Sequence, residues 1–145
     1  MTGYVGRAMT SVLVDSNIFF DVMFGGVAWG WSAERLAELG ATRQLAVNPV
    51  IWAEVGASFG AQAELYRSLE GLMLAKLPIS FDVAFRAGQA HRAYRHAGGQ
   101  RERTLPDFLV GAHGEVERHA VLTRDPKRYR SYFPDLEIIS PDTHQ

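Results

Sequence analysis

The stretch Ser11–Asp21, S-V-L-V-D-S-N-I-F-F-D, decides how this chain is read. Four β-prone residues run up to Asp15, and Ser16 and Asn17 behind it are both good helix N-caps, so a strand ends and a helix begins within three positions. The helix carries Ile18, Phe19, Phe20, Val22, Met23 and Phe24, apolar on nearly every side, until Gly25-Gly26 breaks it. Because Ser16 and Asn17 can cap that helix, Asp15 is expected to be free for other work at the strand's end.

The same alternation continues outward. Trp31 to Leu39 reads as a helix closed by Gly40, Gln44 to Val47 as a strand, and Asn48-Pro49 as the start of a helix through Phe59. Ala61 to Leu74 is helical by composition, and Lys76 to Ile79 is a weak strand whose Pro78 argues for a sheet edge. Asp82 is expected to cap a long amphipathic helix that turns Val83, Phe85, Ala87, Ala90 and Tyr94 inward and ends at Gly98-Gly99. After a polar, basic loop from Gln100 to Thr104, Leu105-Pro106-Asp107 opens another helix, in which Gly111, Ala112 and Gly114 suggest close packing. Ala120 to Thr123 reads as a strand, Pro126 to Tyr132 as a short helix and Glu137 to Ser140 as a last strand. Strands and helices alternating over short connections imply an α/β fold, a five-stranded parallel sheet in three layers with helices on both faces.

With 145 residues, 47% of them hydrophobic, the chain suits one domain over 1–145, with 1–10 as a lead-in and 141–145 as a tail. The absence of cysteine excludes a disulfide framework and a thiolate zinc site, and fits a reducing cytoplasm. No apolar run approaches the roughly 18 residues of a membrane span, and the first ten residues lack the apolar stretch of a secretory signal. A net charge of −1 gives no global attraction to nucleic acid, so phosphate binding has to come from local clusters. Two exist. Arg86, His91, Arg92, Arg95, His96, Arg101 and Arg103 face only Glu102 in their segment, and Arg124, Lys127, Arg128 and Arg130 follow.

Four acids stand at or near strand-to-helix junctions: Asp15, Glu54, Asp107 and Asp125. In a parallel sheet the carboxyl ends of the strands meet along one edge, so these distant residues converge on one crevice, where four carboxylates would make a magnesium site. Each also has a plainer reading. Asp15 can start its helix, Glu54 can be a solvent-facing residue off the Ile51, Val55, Phe59 stripe, Asp107 can complete a capping box with Thr104, and Asp125 before Pro126 can shape a turn. Thr123, two residues before Asp125, can support a carboxylate with its hydroxyl.

The ordered runs V-L-V-D-S-N-I-F-F-D, W-A-E-V, L-P-D-F-L-V-G-A-H and L-T-R-D-P-K-R-Y-R-S-Y-F-P resemble the PIN-domain family. More narrowly they resemble the VapC-type ribonuclease toxins of bacterial toxin–antitoxin pairs, over about Ser11 to Ser140. The resemblance implies a PIN-like five-stranded parallel sheet, a Mg²⁺ or Mn²⁺ site and hydrolysis of single-stranded or loop RNA. It gives Asp15 and Asp107 the part of main metal ligands, has Glu54 hold or orient a water on the ion, and has Asp125 complete the acidic ring. Asn17 and Thr123 fall at supporting polar positions. The chain departs from the pattern at Arg128, where many members carry an acid three residues after an Asn that is Asp125 here. Arg101, Arg103, Arg124, Lys127 and Arg128 are then candidates to hold the RNA backbone.

Phe19, Phe20, Met23, Phe24, Val27, Trp29 and Trp31 exceed what one helix start needs, and either fill the core or form a partner surface. The resemblance implies a groove there for the helical tail of an antitoxin protein, and a homodimeric toxin. Two other readings stay open. A haloacid-dehalogenase-like phosphatase also uses an Asp after its first strand but wants a second Asp where Asn17 stands. A non-enzymatic interaction module would use the acids only as caps and solvated charges.

Overall fold

The computed structural model describes residues 11–99 and 104–145, so Arg101 and Arg103 lie outside the described residues. Twelve elements alternate along the described chain: β1 (Ser11–Val14), α1 (Ser16–Phe24), α2 (Trp29–Thr42), β2 (Gln44–Val47), α3 (Pro49–Gly56), α4 (Gln62–Ser68), β3 (Leu74–Lys76), α5 (Phe81–His96), α6 (Leu105–Glu117), β4 (Ala120–Leu122), α7 (Lys127–Arg130) and β5 (Ile138–Ile139). All strand pairs are parallel, in the order β3-β2-β1-β4-β5. β3 is therefore an edge strand, as expected, although Pro78 lies outside it.

Burial explains the choice of elements. All four residues of β1 are buried, because both faces of the central strand are covered, and such a strand needs no polar alternation. Val83, Ala87, Ala90 and Tyr94 seat α5, and Phe108 of α6 packs against Tyr94 and Tyr132. In the middle of α6, Gly111 leaves space for Phe133: a Cβ there would run into the Phe133 ring, and one at Gly114 would come within 2.5 Å of Leu136 Cδ1. The close packing expected of Gly111, Ala112 and Gly114 is present. No helix among the described residues is long and apolar enough to cross a membrane.

Several expectations shift. α2 runs through Gly40 to Thr42, because a helical glycine costs only about 1 kcal/mol, and burial of Leu36 and Leu39 outweighs that. α3 stops at Gly56 rather than Phe59, and the helix expected over Ala61 to Leu74 is confined to Gln62–Ser68. β3 takes Leu74–Lys76, upstream of Pro78, which has no N–H to give to a ladder. Ser80, not Asp82, caps α5, its side chain accepting from Val83 N, and Phe85 turns outward at 71% exposure. The last segment is tied down at two points: Trp31 Nε1 donates to the His144 carbonyl at 2.7 Å, and Arg130 pairs with Asp142.

Candidate functional site

The strand order reverses around β1: the chain leaves it toward β2 on one side and reaches β4 on the other. In such sheets the crevice opens outside the carboxyl ends of the strands flanking that point. Asp15 leaves β1 there, Thr123 to Asp125 leave β4, α6 begins there with Asp107 in its first turn, and α3 brings Glu54.

Asp15, 1% exposed, is not free of capping duty. It is itself the N-cap of α1, its Oδ1 accepting from Ser16 N at 2.8 Å, because residue 15 keeps the extended backbone of a cap while Ser16 and Asn17 are already helical. Its Oδ2 accepts from Thr123 Oγ1 at 2.9 Å and from Tyr129 Oη at 2.7 Å. Thr123 is fully used in turn. While donating to Asp15, its oxygen accepts from Asn17 Nδ2 (3.2 Å) and Asp125 N (3.0 Å), one donor and two lone pairs. Asn17 Oδ1 then accepts from Arg124 N at 3.2 Å, closing the ring of contacts between α1 and the end of β4. Asn17 and Thr123 thus hold Asp15 and the loop after β4 in register.

The acids sense one another. Burial raises the Glu54 carboxyl above its ordinary range, the nearby Asp15 and Asp107 charges push the same way, and a Ser16 hydrogen bond and Arg128 oppose them. Burial also raises Asp107, against the pull of Arg128 and of Thr104 N–H, with Asp15 and Asp125 adding to the rise. Asp107 serves the capping box as well, since its Oδ2 faces Thr104 N at 3.4 Å.

A cation of the chain's own sits among them. Arg128 Nε donates to Asp125 Oδ2 at 2.8 Å, and Nη1 lies 3.3 Å from Asp107 Oδ1. Its guanidinium is half-buried, and the charges of Asp107 and Asp15 outweigh that burial to raise its pKa. Directly beside it, burial and the Asp15 carboxylate hold the Tyr129 phenol protonated, so it stays a donor. Tyr129, the Ser16 contact with Glu54 and the inward set of Arg128 were not singled out from sequence. A Tyr four residues before Phe133 reads as ordinary core spacing.

Two other expected roles change. Arg124 makes a two-pronged ion pair with Asp21, Nε to Oδ2 and Nη2 to Oδ1 (2.9 Å), and Ser32 Oγ donates to the same buried carboxylate at 2.6 Å. Its guanidinium therefore holds α1 to the loop after β4. Phe19 is fully buried and serves the core rather than a partner surface. Phe24 and Trp29 are more than half exposed, while Phe20, Met23 and Trp31 are partly buried. Beside them a groove of about 600 Å³ is lined by Val22, Met23, Leu36, Ala37, Leu69 and Leu72.

Among the described residues, the trio whose ligand-type atoms come within 4.8 Å of one another is His113, Glu117 and His119, not the acids. Its rings face the wrong way for a metal. His119 Nδ1 accepts from Ser11 N at 2.9 Å. Asn48 spends its Oδ1 on Ile51 N, so its Nδ2 donates to His113 Nδ1 at 3.0 Å. Both neutral rings must then carry their proton on Nε2, the atom a metal would need, whereas a metal-bound imidazole donates through its other nitrogen. Both Nε2 atoms instead approach Glu117 Oε1, at 3.3 and 3.8 Å.

The acid pocket is wider, and its donors are of the right kind. Hard oxygen ligands suit Mg²⁺ or Mn²⁺, and an ion that keeps several waters tolerates carboxylates too far apart to touch it all at once. Asp15 has one lone pair of Oδ1 left over from Ser16 N–H to offer it.

Comparison with known proteins agrees with the architecture. Residues 12–133 match the PIN domain family model. Among solved structures, VapBC2 from Rickettsia felis bound to a promoter DNA fragment aligns with a TM-score of 0.69 at 15% identity, covering 90% of this chain and 98% of that one. A toxin–antitoxin complex from Klebsiella pneumoniae gives 0.65 at 23% identity, with 90% and 98% covered. FitAcB from Neisseria gonorrhoeae gives 0.63 at 17%, with 92% and 99% covered. None of the curated proteins compared matches the chain.

Proposed function

The chain belongs to the PIN domain family, and we propose that it is an endoribonuclease that hydrolyses RNA phosphodiesters with Mg²⁺ or Mn²⁺, acting in the cytoplasm as the toxin of a toxin–antitoxin pair. The observation that carries this reading is the convergence of Asp15, Glu54 and Asp107, from three separate segments, at the carboxyl edge of the sheet, close enough that the Asp15 charge adds to the burial that raises both Glu54 and Asp107. A nuclease family on a chain with that pocket leaves the phosphatase reading without support.

A divalent ion held by Asp15 and Asp107 would lower the pKa of an attacking water and offset charge on the phosphate. The chain's residues do the rest. Asp15, clamped by three donors, aims its remaining lone pair without freedom to swing. Glu54, with its carboxyl raised, is suited to take the proton as the water oxygen bonds to phosphorus. The phosphorus–oxygen bond to the leaving ribose breaks in the same displacement, and that oxygen takes a proton from solvent. Lys127 and Arg128, on α7 at the pocket's rim, and the basic loop with Arg101 and Arg103 contribute phosphate contacts.

The partner reading draws on the neighbours, which were solved as toxin–antitoxin complexes. The groove lined by Val22, Met23, Leu36, Leu69 and Leu72 suits an amphipathic helix from an antitoxin, and a homodimer is the proposed toxin unit. Asp107→Asn is the cleaner test variant, because Asp15 also caps α1 and receives two buried hydroxyls. Purified wild-type chain should cut single-stranded RNA in Mn²⁺ and lose that activity in EDTA, and the folded Asp107→Asn variant should be inactive. Undiminished cutting by Asp107→Asn would remove the mechanism, and absence of any saturable Mn²⁺ binding would favour the interaction module.

A further inference from the structure

The proposed chemistry leaves open how many ions the pocket takes, and Arg128 bears on that number. Resting on the metal-dependent reading above, we infer that the pocket holds one divalent ion, and that the Arg128 guanidinium, set between Asp107 and Asp125, stands as its fixed second positive charge.

Lone pairs limit the site first. A two-ion centre holds its cations about 3.5–4 Å apart, close enough that a carboxylate between them needs a free lone pair for each. Asp15 cannot serve that purpose. Of its roughly four acceptor positions, Ser16 N–H takes one on Oδ1, and the Thr123 and Tyr129 hydroxyls take both on Oδ2. Those donors are built in: Thr123 and Tyr129 are fully buried, so neither swings away to solvent without opening the core. Asp107 is partly committed too, with Arg128 on Oδ1 and Thr104 N–H facing Oδ2. Asp125 gives Oδ2 to Arg128 Nε.

Charge balance points the same way. One guanidinium and one divalent ion together offset three of the four negative charges of Asp15, Glu54, Asp107 and Asp125. A second ion would either leave the pocket net positive before any substrate arrived, with the guanidinium in place, or have to displace a guanidinium already paired with two carboxylates. A guanidinium is also chemically apt for the place, since it pairs with phosphate oxygens as well as with carboxylates and always keeps its charge.

Calorimetric titration of the metal-free chain with Mn²⁺ reads this directly, without reference to activity. Wild type should bind one ion per chain. Arg128→Asp, which adds an acid and frees Asp107 and Asp125, should bind two. Arg128→Gln, which removes the competing charge without adding a ligand, should bind its first ion about tenfold more tightly. Circular dichroism checks that the variants fold, and if Arg128→Asp does not, Arg128→Gln decides. Two ions on the wild type, one ion on a folded Arg128→Asp, or unchanged affinity in Arg128→Gln would overturn the inference. Those failures leave the nuclease reading standing, whereas no saturable binding by any of the three proteins would take the metal reading and this inference down together.

Discussion

In its first turn α6 offers Asp107 to a pocket where carboxylates are spaced apart and unevenly satisfied, and further along it offers His113 and Glu117 to a cluster whose ligand-type atoms lie within 4.8 Å. Judged by proximity, the second end is the metal site. Judged by available lone pairs, the first is the one proposed to hold the metal. At the histidine end each Nδ1 is spent on a buried N–H and each Nε2 carries a proton facing Glu117, so the two rings have no lone pair left to give. At the acid end burial raises Glu54 and Asp107 and neighbouring carboxylates add to the rise, a strain that a cation would relieve. Convergence of the right atoms is not sufficient; what their other bonds leave free decides the chemistry.

The sharpest way to break this contrast is to neutralise one carboxylate at each end. Asp107→Asn should lower Mn²⁺-dependent RNA cleavage by about 10³-fold or more, whereas Glu117→Gln should leave the rate within about twofold, in a single-turnover assay with labelled RNA. Equal losses would mean that the histidine end takes part in the reaction. Next in size is the helix that joins them. Gly111→Ala should cost about 1–3 kcal/mol in urea denaturation, because the new methyl meets Phe133.

Acid should then separate the two ends by sign. Burial holds His113 and His119 below their ordinary 6.5, so the unfolded chain takes up protons first and stability falls as pH drops below about 6.5, toward the folded values. Glu54 and Asp107 are raised instead, so in EDTA the folded chain takes up protons first, and their contribution improves as pH falls through the folded values. His119→Asn, whose Oδ1 can still accept from Ser11 N–H, should flatten the loss below 6.5 in thermal melts across pH. An unchanged slope would assign that loss elsewhere. The smallest effect expected lies just past the helix: Arg118 closes α6 at φ 61°, and Arg118→Gly should gain about 1 kcal/mol by removing a left-handed side chain.

Much of this was legible in the chain. Uninterrupted apolar strands followed at once by caps spelled a parallel sheet, and the ordering of Asp15, Glu54, Asp107 and Asp125 spelled the edge at which they gather. What sequence could not carry was the second partner of each group. Asp15 looked spare because two good caps followed it, yet backbone geometry makes it the cap. Arg124 and Arg128 stand four residues apart after β4, but Arg124 is drawn to Asp21 on α1 and Arg128, on α7, into the acids, a distinction set by where α1 passes. Phe85 fits a helical stripe on paper and faces solvent because α5 is narrower in its contact than its apolar set.

Buried hydroxyls normally escape notice, and two here need not. The Thr123 and Tyr129 protons both point at one carboxylate and lie out of reach of solvent, so they should exchange slowly and give separate downfield resonances in a proton spectrum. Their chemical shifts would then track how much electron density Asp15 lends to whatever occupies the crevice, an internal gauge that requires no label.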